Sequence, residues 1–328
     1  MPFFRYDQHD SKRTHFDLRE FYWRWVAGNW ELTAGFRKIF WGVTESVHLV
    51  DIINQTDFVE NLDGEQKLGQ QMVNLSWFRN WGTISFFVMP GFRERTFPGV
   101  EGRLRFPLPV DSRQAQYESE AGRNHVDWAI RYSHTLGAFD FGIAHFSGTS
   151  REPRLLPGSN GNGTSVLTPV YDLIDQTSLD LQYTTGGWLW KLELISRKAR
   201  QQRMTAFVAG FEYTFANIRN SGIDLGVIAE YIFDDRDSRS FAPTPFNDDI
   251  FLGARLAFND VQSTDLLLGA IIDRKNGSSY LNLEASRRLG STFKVTLEIR
   301  GFVDADKSDF LYAFRKDTYA RLELARYF

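Results

Sequence analysis

Lys316 to Phe328 reads K-D-T-Y-A-R-L-E-L-A-R-Y-F, and its pattern decides what the rest of the chain can be. Ala320, Leu322, Leu324 and Phe328 share one face, while Arg321, Glu323 and Tyr327 share the other. Alternation of this kind marks a strand, whose successive side chains leave opposite faces. One face is mostly apolar and the other polar, and the stretch ends on an aromatic. A sheet of such strands in an apolar solvent must close on itself, because an open edge would leave backbone N–H and C=O groups unpaired.

The same alternation recurs upstream around joints rich in Gly, Asn and Asp, the chemistry of tight hairpins. Residues 14–26 and 30–38 flank Ala27-Gly28-Asn29, and 71–79 and 82–90 flank Asn80-Trp81. Residues 125–134 and 138–147 flank Leu136-Gly137, and 177–185 and 187–197 flank Gly186-Gly187. Residues 204–215 and 222–233 flank Asn217 to Ser221, 250–258 and 264–273 flank Asn259-Asp260, and 278–287 and 292–302 flank Leu289-Gly290-Ser291. In the clearest pair, Phe207, Ala209, Phe211, Tyr213 and Phe215 oppose Ile223, Leu225, Val227, Ala229, Tyr231 and Phe233. These segments have about the 9–11 residues a tilted strand needs to cross hydrocarbon, whereas strands of soluble sandwiches run to about 5–6. Seven hairpins and the final strand make fifteen strands, and residues 1–6 read as the end of one more. The expectation is all-β: a closed antiparallel transmembrane β-barrel of about sixteen strands, one domain over residues 1–328.

Composition is compatible with that expectation. The 328 residues carry a net charge of −3 with a pI near 6.1, which argues against a nucleic-acid partner. Cysteine is absent, so disulfides, thiolate metal sites and Cys nucleophiles are excluded. Mean hydropathy is −0.35, and no apolar run approaches the roughly 18 residues of a membrane helix. A barrel strand averages lipid-facing and lumen-facing residues, so modest hydropathy does not exclude a membrane. The 29 Phe, 12 Tyr and 9 Trp suit interfacial girdles, although an aromatic-rich soluble β-sandwich would share them. Met1 is followed by Pro-Phe-Phe-Arg-Tyr-Asp, without the apolar segment of an export signal, so a mature or truncated chain with an added Met is expected.

The terminal strand resembles that of the transmembrane barrels of Gram-negative bacteria, which typically end on Phe after apolar residues at alternate positions; Arg326 stands where an apolar or aromatic residue is usual. A second resemblance lies in G-F-R-K-I-F-W-G (35–42) followed by D-I-I-N-Q-T-D (51–57). It is similar to the G-R-x-x-x-x-W-G … I-N-P-x-D signature of mostly uncharacterised proteobacterial porin-like families, distantly related to alginate-export barrels. Gln55 stands where Pro is common, and Phe36-Arg37 shifts the usual Gly-Arg by one. The resemblance implies an outer-membrane barrel in a Gram-negative bacterium and says little about solute.

Connections are unequal. Tight turns alternate with long segments at 39–70, 91–124, 148–176, 234–249 and 303–316, as in barrels with short periplasmic turns and long external loops. Trp23, Trp25, Trp30, Trp77, Trp81, Trp188 and Trp190 gather near the tight turns, where a membrane girdle would sit. The inward face of a wide, water-filled lumen would carry Arg37, Asp127, Arg131, Asp180, Lys191, Glu193, Glu212, Glu230, Arg255, Glu298 and Arg300. Segment 91–124 holds Arg93, Arg95, Arg103 and Arg105; it either folds inward as a constriction for carboxylate or phosphate groups, or lies outside as a solvated loop. Val47 to Ile53 is expected as a short helix or strand plugging the lumen, with Glu45, Asp51 and Asp57 facing water.

The chain is expected to be a porin for passive or weakly selective diffusion of small hydrophilic solutes, surrounded by membrane lipids and using no cofactor. The alternative is a non-conducting barrel that serves as scaffold or docking partner for other envelope proteins, and an oligomer is compatible with both. An enzymatic reading rests on His145 and Ser147, a His-x-Ser pair such as outer-membrane phospholipases use, with Asn160 or Asn162 as third member; the flanking residues do not match. Asp234-Asp235-Arg236-Asp237 and Asn247-Asp248-Asp249 offer oxygen ligands for calcium but read more simply as solvated loop tips.

Overall fold

The computed structural model describes residues 1–61 and 63–327; the expectation for the terminal Phe328 lies outside them. In chain order the strands are β1 (Pro2–Arg5), β2 (His15–Leu18), β3 (Phe21–Ala27), β4 (Trp30–Arg37), β5 (Gln70–Arg79), β6 (Gly82–Pro90) and β7 (Gln116–Tyr117). There follow β8 (Val126–Leu136), β9 (Phe139–Thr149), β10 (Arg154–Ser159), β11 (Ser165–Tyr171), β12 (Leu173–Thr185), β13 (Trp188–Ala199) and β14 (Gln202–Phe215). The last are β15 (Asp224–Asp234), β16 (Asp248–Ala257), β17 (Asp265–Asp273), β18 (Ser279–Leu289), β19 (Phe293–Val303) and β20 (Tyr319–Arg326).

Fifteen of these form one sheet from β3 to β20 in which every neighbouring pair is antiparallel. All seven expected hairpins are present, although the first expected strand, 14–26, is broken, with only Phe21–Ala27 pairing with β4; Gly28, Gly137 and Gly186 turn three of the hairpins at φ of +56°, +62° and +57°, which a residue with a Cβ adopts at a cost. The connection 148–176 is not a plain loop: β10 and β11 form a hairpin that pairs with β7 as a separate three-stranded sheet. No helix of the described chain is long and apolar enough to cross a membrane, which says nothing about strands.

The expected closure is altered. Fifteen antiparallel strands leave the two edges, β3 and β20, running in the same direction, so they cannot pair antiparallel; no backbone ladder joins them among the described residues. The expected strand end at residues 1–6 exists as β1, but it pairs only with β2, with Pro2 opposite Leu18 and Arg5 opposite His15. Side chains of one short stretch bridge the seam. Asp57 takes Arg19, just before β3, and His15 at 3.2 Å, while Asn61 accepts the Tyr319 hydroxyl of β20 at 3.2 Å. The segment bearing Asp57 and Asn61 also reaches β13, β15, β16 and β19. A single segment can touch both edges and the strands between them only if the sheet curls round it.

The two faces of the sheet differ as the alternation requires. On β15, Gly226, Ile228, Glu230 and Ile232 are buried inward, while Val227 stands exposed outward. Outward and exposed are also Val73 and Leu75 on β5, Trp128 and Ile130 on β8, Leu252 on β16, Leu281 on β18, and Leu322 and Leu324 on β20. Such a continuous apolar band has no place on a monomer in water, where exposed patches are normally small.

Aromatic rings concentrate at the tight-turn end. Trp30 stacks on Trp77 at 5.3 Å, Trp77 meets Trp81 edge-on, and Trp188 stacks on Trp190 at 5.4 Å with Phe211 and Tyr213 packed against Trp188. Trp23 and Trp25 stand outward and exposed on β3, whose strand runs into the first of these turns.

Candidate functional site

The inside of the curled sheet is not a wide aqueous lumen. Segment 39–69 enters it, and Trp41, Val50, Ile52 and Ile53 pack there against the inward side chains Met72, Phe87, Met89, Ala129, Ala144, Phe146, Ile174, Ile195, Met204 and Ala206. Val50 and Ile53 have no exposed surface. Each such side chain stabilises the insertion by about 1.5–3 kcal/mol relative to leaving it in water. The expected helix or strand at Val47 to Ile53 is absent: the segment is irregular, with a turn at 49–50.

An irregular backbone inside a protein needs acceptors for its N–H groups, since an unpaired buried donor costs about 1–3 kcal/mol. Two carboxylates of the wall supply them. Glu193 of β13, with no exposed surface, accepts Val43 N–H at 2.7 Å, Thr44 N–H at 3.1 Å, the Thr44 hydroxyl at 2.8 Å and Val50 N–H at 3.1 Å. Glu230 of β15 accepts Glu45 N–H and Ser46 N–H, both at 2.8 Å, and the Ser46 hydroxyl at 2.6 Å. The insert is therefore hydrogen-bonded to its container much as a strand is to a sheet.

The acidic residues of the insert do not face water as expected; they are paired with the wall, with the insert itself or with the segment before β3. Glu45 pairs with Arg255 at 2.6 Å and Lys191 at 3.7 Å, and these two cations also reach Glu212 at 3.5 and 3.7 Å. Asp51 pairs with Lys67 at 3.1 Å, and Asp57 is wholly buried between Arg19, His15 and the Thr96 hydroxyl.

Other inward residues also meet as pairs. Arg131 and Asp180 form a two-point bridge at 2.7 and 2.8 Å, with the guanidinium over the Trp41 ring; Gly142 makes room, since a Cβ there would lie 2.1 Å from Arg131. Asp127 holds Arg151 at 2.6 Å, and Arg151 donates to the Ile53 carbonyl. Arg300 bridges Asp63 at 2.8 Å and Glu284 at 2.6 Å, Glu298 accepts Asn61 and Tyr319, and Arg37 donates to Thr33 and Asn74.

The arginine-rich segment divides between the two readings left open for it. Arg93 turns inward to Asp17 and the Gly69 carbonyl, both at 2.7 Å, and Arg95 lines an inner cavity. Arg103 stays at the surface with Asp317 at 2.8 Å, and Arg105 donates to carbonyls of its own loop at Val100, Phe106 and Pro107, so neither forms a constriction.

The remaining candidates do not assemble. The His145 ring bonds the Thr177 hydroxyl at 3.0 Å, and the Asn160 side chain caps its own turn through Asn162 and Thr164, so His145 and Asn160 have partners other than each other. Asp234 and Asp237 are engaged by Arg236 and Arg239, and Asp248 by Arg274 and Tyr231.

Two cavities inside the sheet share β17 to β19 as part of their walls. A cavity of about 280 Å³ opens beside His48, Arg95, Glu152, Phe106 and Tyr280. A second, of about 230 Å³, lies beside Glu45, Glu65, Glu284 and Arg300. Ser46, His48, Asp63, Ile271 and Tyr280 line both, so the two adjoin. Sequence reasoning did not single out His48, Arg151, Glu152 and Arg197, and it read Arg236 only as part of an acidic run. The signal for Arg197 was available, because it follows Lys191, Glu193 and Ile195 at alternate positions on β13.

His48 sets the ionisation of this region. Burial alone would favour the neutral ring, but Glu193 at 3.7 Å and Glu65 at 2.8 Å overcome it and push its pKa up to about 10. With an unfolded value near 6.5, the stabilisation is complete below about pH 6.5 and is lost as pH rises toward about 10. The thermal midpoint of detergent-folded protein is therefore expected to fall across that window, and His48→Gln to flatten the decline; an identical slope in the variant would remove this ion pair as its source. A second expectation concerns the backbone clamp. Glu193→Ala leaves the donors of Val43, Thr44 and Val50 without their acceptor and should speed their hydrogen exchange roughly a hundredfold, equivalent to about 3 kcal/mol. Unchanged protection there would show that the carboxylate is not what holds the insert.

No protein-family model matches the chain, and no curated protein sequence does. Among solved structures, a porin refined at 1.8 Å resolution is similar over 91% of this chain and 92% of its own, at 13% sequence identity and a TM-score of 0.43.

Proposed function

We propose that this chain is an outer-membrane β-barrel that passes small solutes by a narrow, off-axis route past its inserted segment. The outward apolar band with aromatic rings at the tight-turn end supports the membrane placement, since only lipid rewards such a surface. The observation that carries the route is the pair of adjoining cavities beside β17 to β19, which share five lining residues. Their walls hold charges of both signs: His48, Lys67, Arg95 and Arg300 against Asp63, Glu65, Glu152 and Glu284. Selectivity would be steric and electrostatic, without covalent chemistry. A wide pore open to any small hydrophilic solute does not fit a lumen filled by Trp41, Val50, Ile52 and Ile53.

The second reading, a non-conducting barrel that scaffolds other envelope proteins, draws on that same filling. Planar-bilayer recording separates the two. The intact protein should give small, discrete conductance steps, and a Glu193→Ala, Glu230→Ala double variant, which frees the insert, should give larger ones. Silence from the intact protein, with steps appearing only in the double variant, would favour the scaffold; silence from both would end the channel reading. The membrane placement has its own check. Leu252→Arg, at an exposed outward position midway along β16, should cost about 2–4 kcal/mol of folding stability in phospholipid vesicles. A loss below about 1 kcal/mol would count against a lipid-facing band.

A further inference from the structure

The cavity beside Arg95 has two chemically distinct walls. On one side stand Arg95, Arg197 and Arg236 around a single carboxylate, Glu152, which accepts Arg197 at 2.6 Å and Arg236 at 3.1 Å. Arg236 is also paired with Asp234 at 2.7 Å. Three cations against two anions leave one positive charge in excess. The residue without a direct ion pair is Arg95: no carboxylate lies within ion-pair distance among the described residues, Glu152 acts on it only at longer range, and its Nε has a long contact of 3.4 Å to the Gln55 side-chain oxygen. Its backbone N–H is fixed by the Tyr171 hydroxyl at 3.1 Å. Burial holds its guanidinium below the usual arginine value, against the pull of Glu152.

The other wall is aromatic. Phe58 lies parallel to Phe106 at 6.1 Å, and Phe106 meets Phe310 at 5.8 Å and Phe314 at 5.7 Å edge-on. Phe58 joins the two walls, because the Arg95 guanidinium sits 5.9 Å from its ring centre. At about 280 Å³ the cavity is near the lower end of small-molecule sites, which run from about 300 to 1,000 Å³.

We propose that this cavity binds a monocarboxylate carried on a compact apolar or aromatic body, with the carboxylate on Arg95 and the body against Phe58 and Phe106. One positive charge in excess selects an anion and limits it to one negative charge, since a second would face Glu152 without a cation of its own. The aromatic wall argues against inorganic anions, which cannot use it, and against sugars, whose hydroxyls would go unpaired there. Arginine offers the planar, two-point donor pattern that a carboxylate accepts.

The proposal rests on the narrow-route reading for its biological meaning, yet its test is a binding measurement that needs no conductance. Calorimetric titration of the detergent-folded full chain uses 4-phenylbutyrate as probe, with 4-phenyl-1-butanol and inorganic phosphate as controls. Phenylbutyrate should bind at one per chain, the alcohol at least about tenfold more weakly, and phosphate not measurably. Arg95→Gln should weaken phenylbutyrate about tenfold or more without changing the alcohol, Arg95→Lys should retain part of the affinity, and Phe106→Leu should weaken both organic probes. The heat-modifiable gel band reports whether each variant has folded; if Arg95→Gln does not fold, the carboxylate-to-alcohol ratio in the native protein decides alone. Equal affinity for acid and alcohol, no binding of either, or full affinity in folded Arg95→Gln would each overturn the proposal. Binding without conductance would leave the site standing and remove the route.

Discussion

Two carboxylates with their backs to the sheet hold the interior together. Glu193 and Glu230 would be costly to bury alone, because an ionised group out of water needs several hydrogen bonds. The segment they face has the complementary deficit, a run of N–H donors from Val43 to Val50 with no helix or strand to accept them. Neither part is stable inside the cylinder without the other. That mutual dependence explains how a stretch with no regular structure can occupy the centre of an all-β protein.

The same segment compensates for the sheet's odd strand count. Fifteen strands cannot seal by antiparallel pairing, and the seam between β3 and β20 lies where Asp57 and Asn61 reach to either side. Filling the lumen and bridging the edge are thus one structural task. Asp57, buried and gripped by Arg19, His15 and Thr96, sits at the point where both requirements meet.

Charge inside the curled sheet is organised for cohesion over most of the wall; among the described residues Arg37 and Arg95 have no carboxylate within ion-pair distance, Arg37 being held by Thr33 and Asn74 while Arg95 lines a cavity. Arg131 with Asp180, Arg151 with Asp127, and Arg255 with Glu45 are matched and packed. Such pairs add little net stability over an apolar alternative, but losing one partner would strand a buried charge. Around Arg95 the matching stops, and that place is also where the wall becomes aromatic and space opens. An imbalance with room beside it differs in kind from the imbalances the fold has closed.

The strands of the main sheet, their faces and the tight turns were legible in the sequence, because period-two alternation and Gly-Asn-Asp joints act over a few residues and need no tertiary partner; the small sheet of β7, β10 and β11 was not. Phe207 to Phe215 and Leu225 to Phe233 point outward on β14 and β15 as the pattern requires, and the tryptophans lie near the turns. The inward placement of Glu193, Glu230 and Arg131 followed from the same count. What they bind did not, because their partners lie 49 to 185 residues away along the chain. Pattern alone left segment 91–124 undecided, and the tertiary structure split it, drawing Arg93 and Arg95 in and leaving Arg103 and Arg105 out. The filling of the lumen was decided there too. Ile52 and Ile53 look like any apolar pair in a loop until the curled sheet surrounds them, and an inward Ile195 or Met204 looks like an error in a wet pore until the insert covers it. Local alternation is fixed by backbone geometry; which surfaces meet across the interior depends on how the sheet curls, and that curl is a property of the whole sheet.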